Sequence, residues 1–124
     1  MGTFVISKKL NGDFKFNFMS RKGNIILTSL GFESKLKCEE NIELFKQNLE
    51  EVKFLKFKAS REKYFFKLIL DDQVFAVSRK YTTEFSLQKG IDQIMLYAVK
   101  AEILDFSNNE KYFLNLIIIE LILN

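Results

Sequence analysis

The sequence has no histidine, no proline and no tryptophan, and it holds one cysteine and five glycines. Without histidine it lacks the usual general base near neutral pH and the commonest metal ligand. Without proline it lacks the rigid linkers and cis-peptide turns that proline marks. One cysteine cannot close an internal disulfide, so a reducing cytosol is the default setting. The few glycines never fall in a phosphate-cradling spacing such as Gly-x-x-x-x-Gly-Lys-Ser/Thr. No segment offers the ~20 apolar residues needed to span a membrane, and Met1 to Ser7 shows neither the charged opening nor the apolar stretch of an export signal. These absences point to a small cytoplasmic protein that is not an enzyme, takes no cofactor or metal, and does not enter a membrane.

What is present is apolar and aromatic. The chain has 124 residues, 48% hydrophobic, with 14 phenylalanines, a composition that folds and is long enough for one real core. The formal charge of +3 is unevenly placed: residues 1–58 carry 11 Lys/Arg against 7 Asp/Glu, residues 59–107 balance at 7 and 7, and residues 108–124 carry a net −1. By this division the positive charge belongs to the first half.

The stretch Phe14 to Leu49 organises the chain, because the sequence then repeats it. Phe14, Phe16 and Phe18 alternate with Lys15 and Asn17, which puts the three rings on one face of a strand and the polar pair on the other. Thr3 to Ser7 reads as a strand before it, joined through Asn11-Gly12, a pair suited to a type I′ hairpin turn. A turn around Lys22, Gly23 and Asn24 leads into a third strand, Ile25 to Ser29. Ser34 is a good N-cap for a helix whose apolar residues, Cys38, Ile42, Phe45, Leu49 and Val52, recur at spacings of four and three. Forty-nine positions later Leu87, Ile91, Ile94, Ala98 and Ala101 repeat that stripe behind Thr83. Before the central turn the offset is 50, matching Phe14, Phe16 and Phe18 to Tyr64, Phe66 and Leu68; the basic turn of the first copy becomes Asp71-Asp72 in the second. The stretches Phe54 to Phe57 and Ile103 to Phe106 follow the two helices as strands. Glu110 to Phe113 echoes Glu62 to Phe65, so residues 109–124 read as an apolar tail that opens a third unit and is cut short.

In the order of its motifs the chain resembles the YegP-like family of small bacterial proteins of unknown function, DUF1508 or UPF0339. The resemblance rests on Gly12 to Phe18, Lys22 to Ile26 and Ser29 to Lys35, and continues along the helix through Cys38, Ile42 and Lys46 to Asn48. The second copy keeps Ser78, Tyr81, Thr83, Gly90 and Ile91. The chain departs from the family pattern at Lys22, where asparagine is usual, at Phe32, where tyrosine is usual, and at Asn41, where glycine is usual. The resemblance implies an α+β fold: two tandem β-β-β-α-β repeats, residues 1–58 and 59–108, forming a single mainly antiparallel sheet. Two helices pack on one face, and the strand after each helix is exchanged between the units. It implies no activity and no catalytic residue.

The remaining candidates are modest. Cys38 lies on the apolar helical stripe and reads as core, not as a nucleophile. Asp71 and Asp72 read as an ordinary turn in preference to a metal site. The rings at 14, 16 and 18 read as core in preference to a stacking platform for bases. Lys8, Lys9, Lys15, Arg21 and Lys22 are the candidate contacts for nucleic acid, as a basic edge of the first copy. The favoured expectation is an interaction module that meets a protein partner, or another copy of itself, through a sheet edge or the tail. A weak nucleic-acid binder is the alternative.

Overall fold

The computed structural model describes residues 2–107 together with Ile119, Leu121 and Ile122. Seven strands form one sheet: β1 (Thr3–Lys8), β2 (Phe14–Met19), β3 (Ile25–Ser29), β4 (Lys53–Ala59), β5 (Lys63–Leu70), β6 (Gln73–Ser78) and β7 (Glu102–Asp105). Two α-helices, α1 (Lys35–Gln47) and α2 (Glu84–Tyr97), pack with it among residues 2–107. The strand order is β4-β5-β6-β3-β2-β1-β7. Every pairing is antiparallel except β1 with β7, which is parallel. The strand after α1 therefore pairs with β5, and the strand after α2 crosses to β1. The expectation of an α+β fold with a single, mainly antiparallel sheet holds.

Alternation sets the faces. Phe4 and Ile6 of β1, Phe16 and Phe18 of β2, Leu27 of β3 and Phe66 and Leu68 of β5 are buried on the side that carries both helices, in one core with Cys38, Ile42 and Phe45 of α1 and Leu87, Ile91 and Ile94 of α2. Phe45 reaches across to Phe4 and Phe75, with ring centroids 6.0 and 5.6 Å apart. A register shift in each hairpin, between Phe18 and Met19 and between Leu68 and Ile69, gives β3 and β6 an extra residue there. Two successive residues of each, Ile26 with Leu27 and Phe75 with Ala76, thereby join the core. Full burial of rings this size stabilises by roughly 1.5–3 kcal/mol each.

Positions 49 or 50 apart make the same contacts. Ser29 Oγ accepts from the Phe16 N–H at 2.8 Å and donates to the Leu30 carbonyl at 2.8 Å; Ser78 Oγ accepts from the Phe66 N–H at 2.9 Å and donates to the Arg79 carbonyl at 2.7 Å. Isolated bridges follow at Phe14–Phe32 and at Tyr64–Tyr81. Between these bridges and the preceding strand pairs, two residues face three, and the serine hydroxyl fills the gap in the ladder. Phe32 stacks on Phe16 (6.4 Å, 8°) as Tyr81 stacks on Phe66 (6.5 Å, 11°). Ser34 and Thr83 cap the helices, accepting from Lys37 N at 3.1 Å and Ser86 N at 3.0 Å.

Gly90 accounts for two departures from the family pattern together. A Cβ at this position would run into the Tyr81 hydroxyl. Forty-nine residues earlier the tyrosine is Phe32 and the glycine is Asn41: with no phenolic oxygen to accommodate, a side chain is tolerated.

One turn differs from its expected form. Asn11 and Gly12 do not make a two-residue type I′ turn; Gly12 N donates to Lys9 O at 3.0 Å and Lys9 N to Asp13 O at 2.7 Å, with only Gly12 at positive φ (92°). Ser20 to Asn24 repeats this pattern, with Gly23 at φ 86°. These are three-residue connections, a turn closed by one left-handed residue. The tight two-residue turn lies instead at Asp71-Asp72, both left-handed at φ 52° and 61°, a conformation aspartate tolerates better than most residues. The expectation of a third unit at residues 109–124 lies outside the described residues, save that Ile119, Leu121 and Ile122 are helical and exposed.

Candidate functional site

The five cations singled out from the sequence do not share a surface. Lys8 and Lys9 stand at one end of β1, with Lys8 Nζ 5.4 Å from the Phe14 ring centroid. Arg21 and Lys22 are exposed at the opposite end, a strand length of about 17 Å or more away. Lys15 lies between, on the helix-free face, and is buried. Burial, and then the charge of Lys9, lower its pKa from the usual lysine value. Nor is this an edge: β1 and β2 sit inside the sheet, between β7 and β3. The Phe14, Phe16 and Phe18 rings point to the helices; the latter two are fully buried and Phe14 is partly so. They offer no platform for bases.

Cations gather elsewhere. Between residues 53 and 67 there are six Lys/Arg and one Glu, a net of +5 in fifteen residues. These residues form β4, the turn Ser60–Glu62 and the start of β5. Dividing the charge at residue 58 splits this hairpin, which is why a count by halves misses it; a sliding window would have found it.

β4 pairs along its whole length with β5, from Lys53↔Ile69 to Ala59↔Lys63, and is the last strand of the sheet. Among the described residues no strand pairs with its outer side. On the helix-free face it presents Lys53, Leu55 and Phe57, opposite Ile69, Lys67 and Phe65 of β5. Leu55 is 48% exposed and Phe57 38%. Phe57 and Phe65 stack on one another (5.2 Å, 18°) with Lys67 Nζ 5.3 Å from the Phe57 centroid. On the helix side Lys56 donates to Gln88 Oε1 at 2.9 Å, and Lys58 lies 6.0 Å from the Tyr64 ring. The hairpin turn holds Arg61 and Glu62 at φ 62° and 57°, which is uncommon for such side chains.

Cys38 is fully buried; burial, with the neighbouring charges of Glu39 and Asp105, pushes its thiol up to about 12. Among the described residues no three His, Cys, Asp or Glu come together to hold a metal ion, and no helix is long and apolar enough to cross a membrane. Open grooves include one of about 360 Å³ beside Arg21, Lys22 and Tyr97, and one of about 510 Å³ between the C-terminal end of α1 and Val99.

Relatives share this architecture. The UPF0339 protein YegP of Yersinia pestis is 30% identical over 109 residues, covering 86% of this chain and 97% of the relative. This chain belongs to the UPF0339 family. No family model matches it. YegP of Escherichia coli K12 is 32% identical over 95 residues, 75% of this chain and 86% of the relative. The solution structure of yegP from E. coli, a protein of unknown function, superposes with a TM-score of 0.77 at 29% identity, over 86% of this chain and 93% of that one. The UPF0339 protein SO3888 of Shewanella oneidensis gives the same TM-score at 26% identity, over 87% and 93%. These relatives point to no enzymatic family.

Proposed function

We propose that the protein is a non-enzymatic binding module of the cytoplasm, and that it takes an extended, acidic and apolar segment of another chain as an additional strand on β4. The observation that supports this most is the open outer side of β4, a seven-residue strand with three lysines, no acidic residue and the exposed apolar side chains of Leu55 and Phe57. Strand addition draws affinity from main-chain hydrogen bonds and specificity from alternate side chains. Lysines on an edge strand also deter unwanted pairing. If β4 met its own copy antiparallel about its midpoint, Lys56 would face Lys56, and like charges directly opposite are destabilising. An acidic partner removes that penalty.

Base stacking by single-stranded nucleic acid fits this surface less well, because Phe57 and Phe65 already stack on each other and Lys67 sits over Phe57. The two halves, 1–58 and 59–108, are best read as copies of one unit, a reading supported by the paired serine, aromatic and capping contacts. The free, buried Cys38 suits a reducing compartment.

The test uses a labelled peptide with the sequence of residues 101–106, Ala-Glu-Ile-Leu-Asp-Phe, followed by fluorescence anisotropy at low and high salt. Binding that Lys56→Glu weakens, and that fails when the peptide's acidic residues are replaced by lysine, supports the reading. No binding, or binding indifferent to the β4 charges, refutes it. Displacement of the peptide by single-stranded RNA would instead favour nucleic acid.

A further inference from the structure

We infer that β4 receives the β7 edge of a second copy, so that molecules join head to tail into one continuous sheet; this rests on the reading of β4 as a strand-accepting edge. The two ends of the sheet have opposite charge. β4 carries Lys53, Lys56 and Lys58, whereas β7 reads Glu102-Ile103-Leu104-Asp105. Each is the terminal strand on its side, and among the described residues neither has a partner on its outer edge.

Direction agrees with charge. Five successive antiparallel pairings separate β4 from β1, and β7 runs parallel to β1. β7 and β4 therefore point in opposite directions within one molecule. A second copy displaced sideways across the sheet, with its helices on the same face, meets the first as an antiparallel pair, β7 against β4. No reversal of the second copy is required, only the turn that the sheet's own twist imposes.

Register agrees as well. Ile103 and Asp105 lie on the helix side of β7, beside Phe4 and Ile6, while Leu104 lies on the other face beside Val5. Setting Leu104 against Phe57, two exposed apolar side chains at 41% and 38%, also sets Asp105 against Lys56. It brings Glu102 to Ala59, whose neighbour on β5 is Lys63. The alternatives are worse: β4 with β4 about its midpoint sets Lys56 against Lys56, and β7 with β7 joins two acidic strands with no cation on either. Asp105 already shares its carboxylate with Lys35 at 2.8 Å, so Glu102 is the acid most available to the partner.

One pair of short strands buries less than the ~1,200 Å² of stable complexes, so the contact is weak and concentration-dependent. It is also heterologous: a pair keeps one free edge of each kind, and growth continues past the dimer unless a ring closes.

The experiment is sedimentation of the full chain from about 10 µM to about 1 mM, read at 260 and 280 nm, at low and high salt. Mass is expected to rise with concentration beyond a dimer and to fall with added salt. Two variants separate the edges. Lys53→Glu with Lys56→Glu and Lys58→Glu makes both edges acidic, and Glu102→Lys removes the acid most available on β7. Each alone is expected to remain monomeric, with circular dichroism confirming the fold, and mixing the two is expected to restore association. A wild type that stays monomeric, a closed dimer, or an oligomer unmoved by both variants overturns the inference. If the wild type stays monomeric but still binds the 101–106 peptide at β4, the inference fails while the strand-accepting function stands.

Discussion

Replacing Ser29 with alanine leaves two main-chain groups without their partners. The Phe16 N–H loses the acceptor that replaces a ladder bond where β3 turns away, and the Leu30 carbonyl loses its donor. Phe16 is fully buried and Ser29 nearly so, so water cannot readily reach the Phe16 N–H, whereas Leu30 is exposed and its carbonyl can be hydrated. A buried polar group left unsatisfied costs about 1–3 kcal/mol, and an expected loss of ~2 kcal/mol is a large part of the 5–15 kcal/mol typical of a domain. Ser78→Ala breaks the equivalent pair of bonds at Phe66 and Arg79 and should cost a similar amount. The two serines share no partner, so the double variant should lose roughly the sum. Urea unfolding followed by circular dichroism measures this: at a slope of about 1.5 kcal/mol/M, each variant moves the midpoint down by roughly 1–1.5 M. Ser60→Ala, at an exposed position in the hairpin turn, should stay within ~0.5 kcal/mol. If Ser29→Ala and Ser78→Ala behave like Ser60→Ala, the serine hydroxyls do not repair the ladder and the reasoning is wrong.

Gly90→Ala should destabilise by about 1–2 kcal/mol, since the clash with Tyr81 outweighs a helix gain of ~1 kcal/mol. Adding Tyr81→Phe should recover part of that loss in thermal melts, and no recovery would sever the link drawn to Phe32 and Asn41. Cys38, buried and with its thiol pushed up to about 12, should react with a thiol reagent only as fast as the chain unfolds; rapid labelling in native buffer would contradict its placement. At Asp105, burial raises the pKa, but hydrogen bonds from Lys35 and Ser107 and the Lys35 charge outweigh it, holding the carboxyl below its usual value. A depressed carboxylate contributes stability above its unfolded pKa and loses it as pH falls through the folded one. The advantage of wild type over Asp105→Asn should therefore be present at pH 7, under ~1 kcal/mol for a partly exposed pair, begin to fall below about pH 4, and vanish only once the pH is below the depressed folded value. A difference that grows on acidification would reverse the assigned sign.

Much of the fold was legible because period and caps agree. Phe16 and Phe18 alternate with Lys15 and Asn17, and the structure turns the rings to the helices. Ser34 and Thr83 cap where the apolar spacing begins. The repeat offset matched Ser29 to Ser78, but that both hydroxyls bond across the sheet needed the pairing of β2 with β3. Strand order was harder: nothing local in Glu102 to Asp105 says that it lies parallel to β1, or that β4 is outermost. The candidate site depended on that order. Lys53, Lys56 and Lys58 fall on one side of the division at residue 58 and Lys63 and Lys67 on the other; a sliding window joins them in sequence, but that they lie on the outermost strand and its partner needed the sheet order. Lys8, Lys9, Arg21 and Lys22 are near in sequence yet separated by the length of a strand.

Residue-resolved amide exchange, measured with and without saturating 101–106 peptide, tests the central claim most directly. In an added antiparallel strand only alternate N–H groups of the edge face the newcomer. The account predicts new protection at every second amide from Lys53 to Ala59, with α1 and α2 unchanged. Protection confined to the grooves beside Tyr97 or Val99, or no protection on β4 under conditions where the peptide is bound, would contradict it.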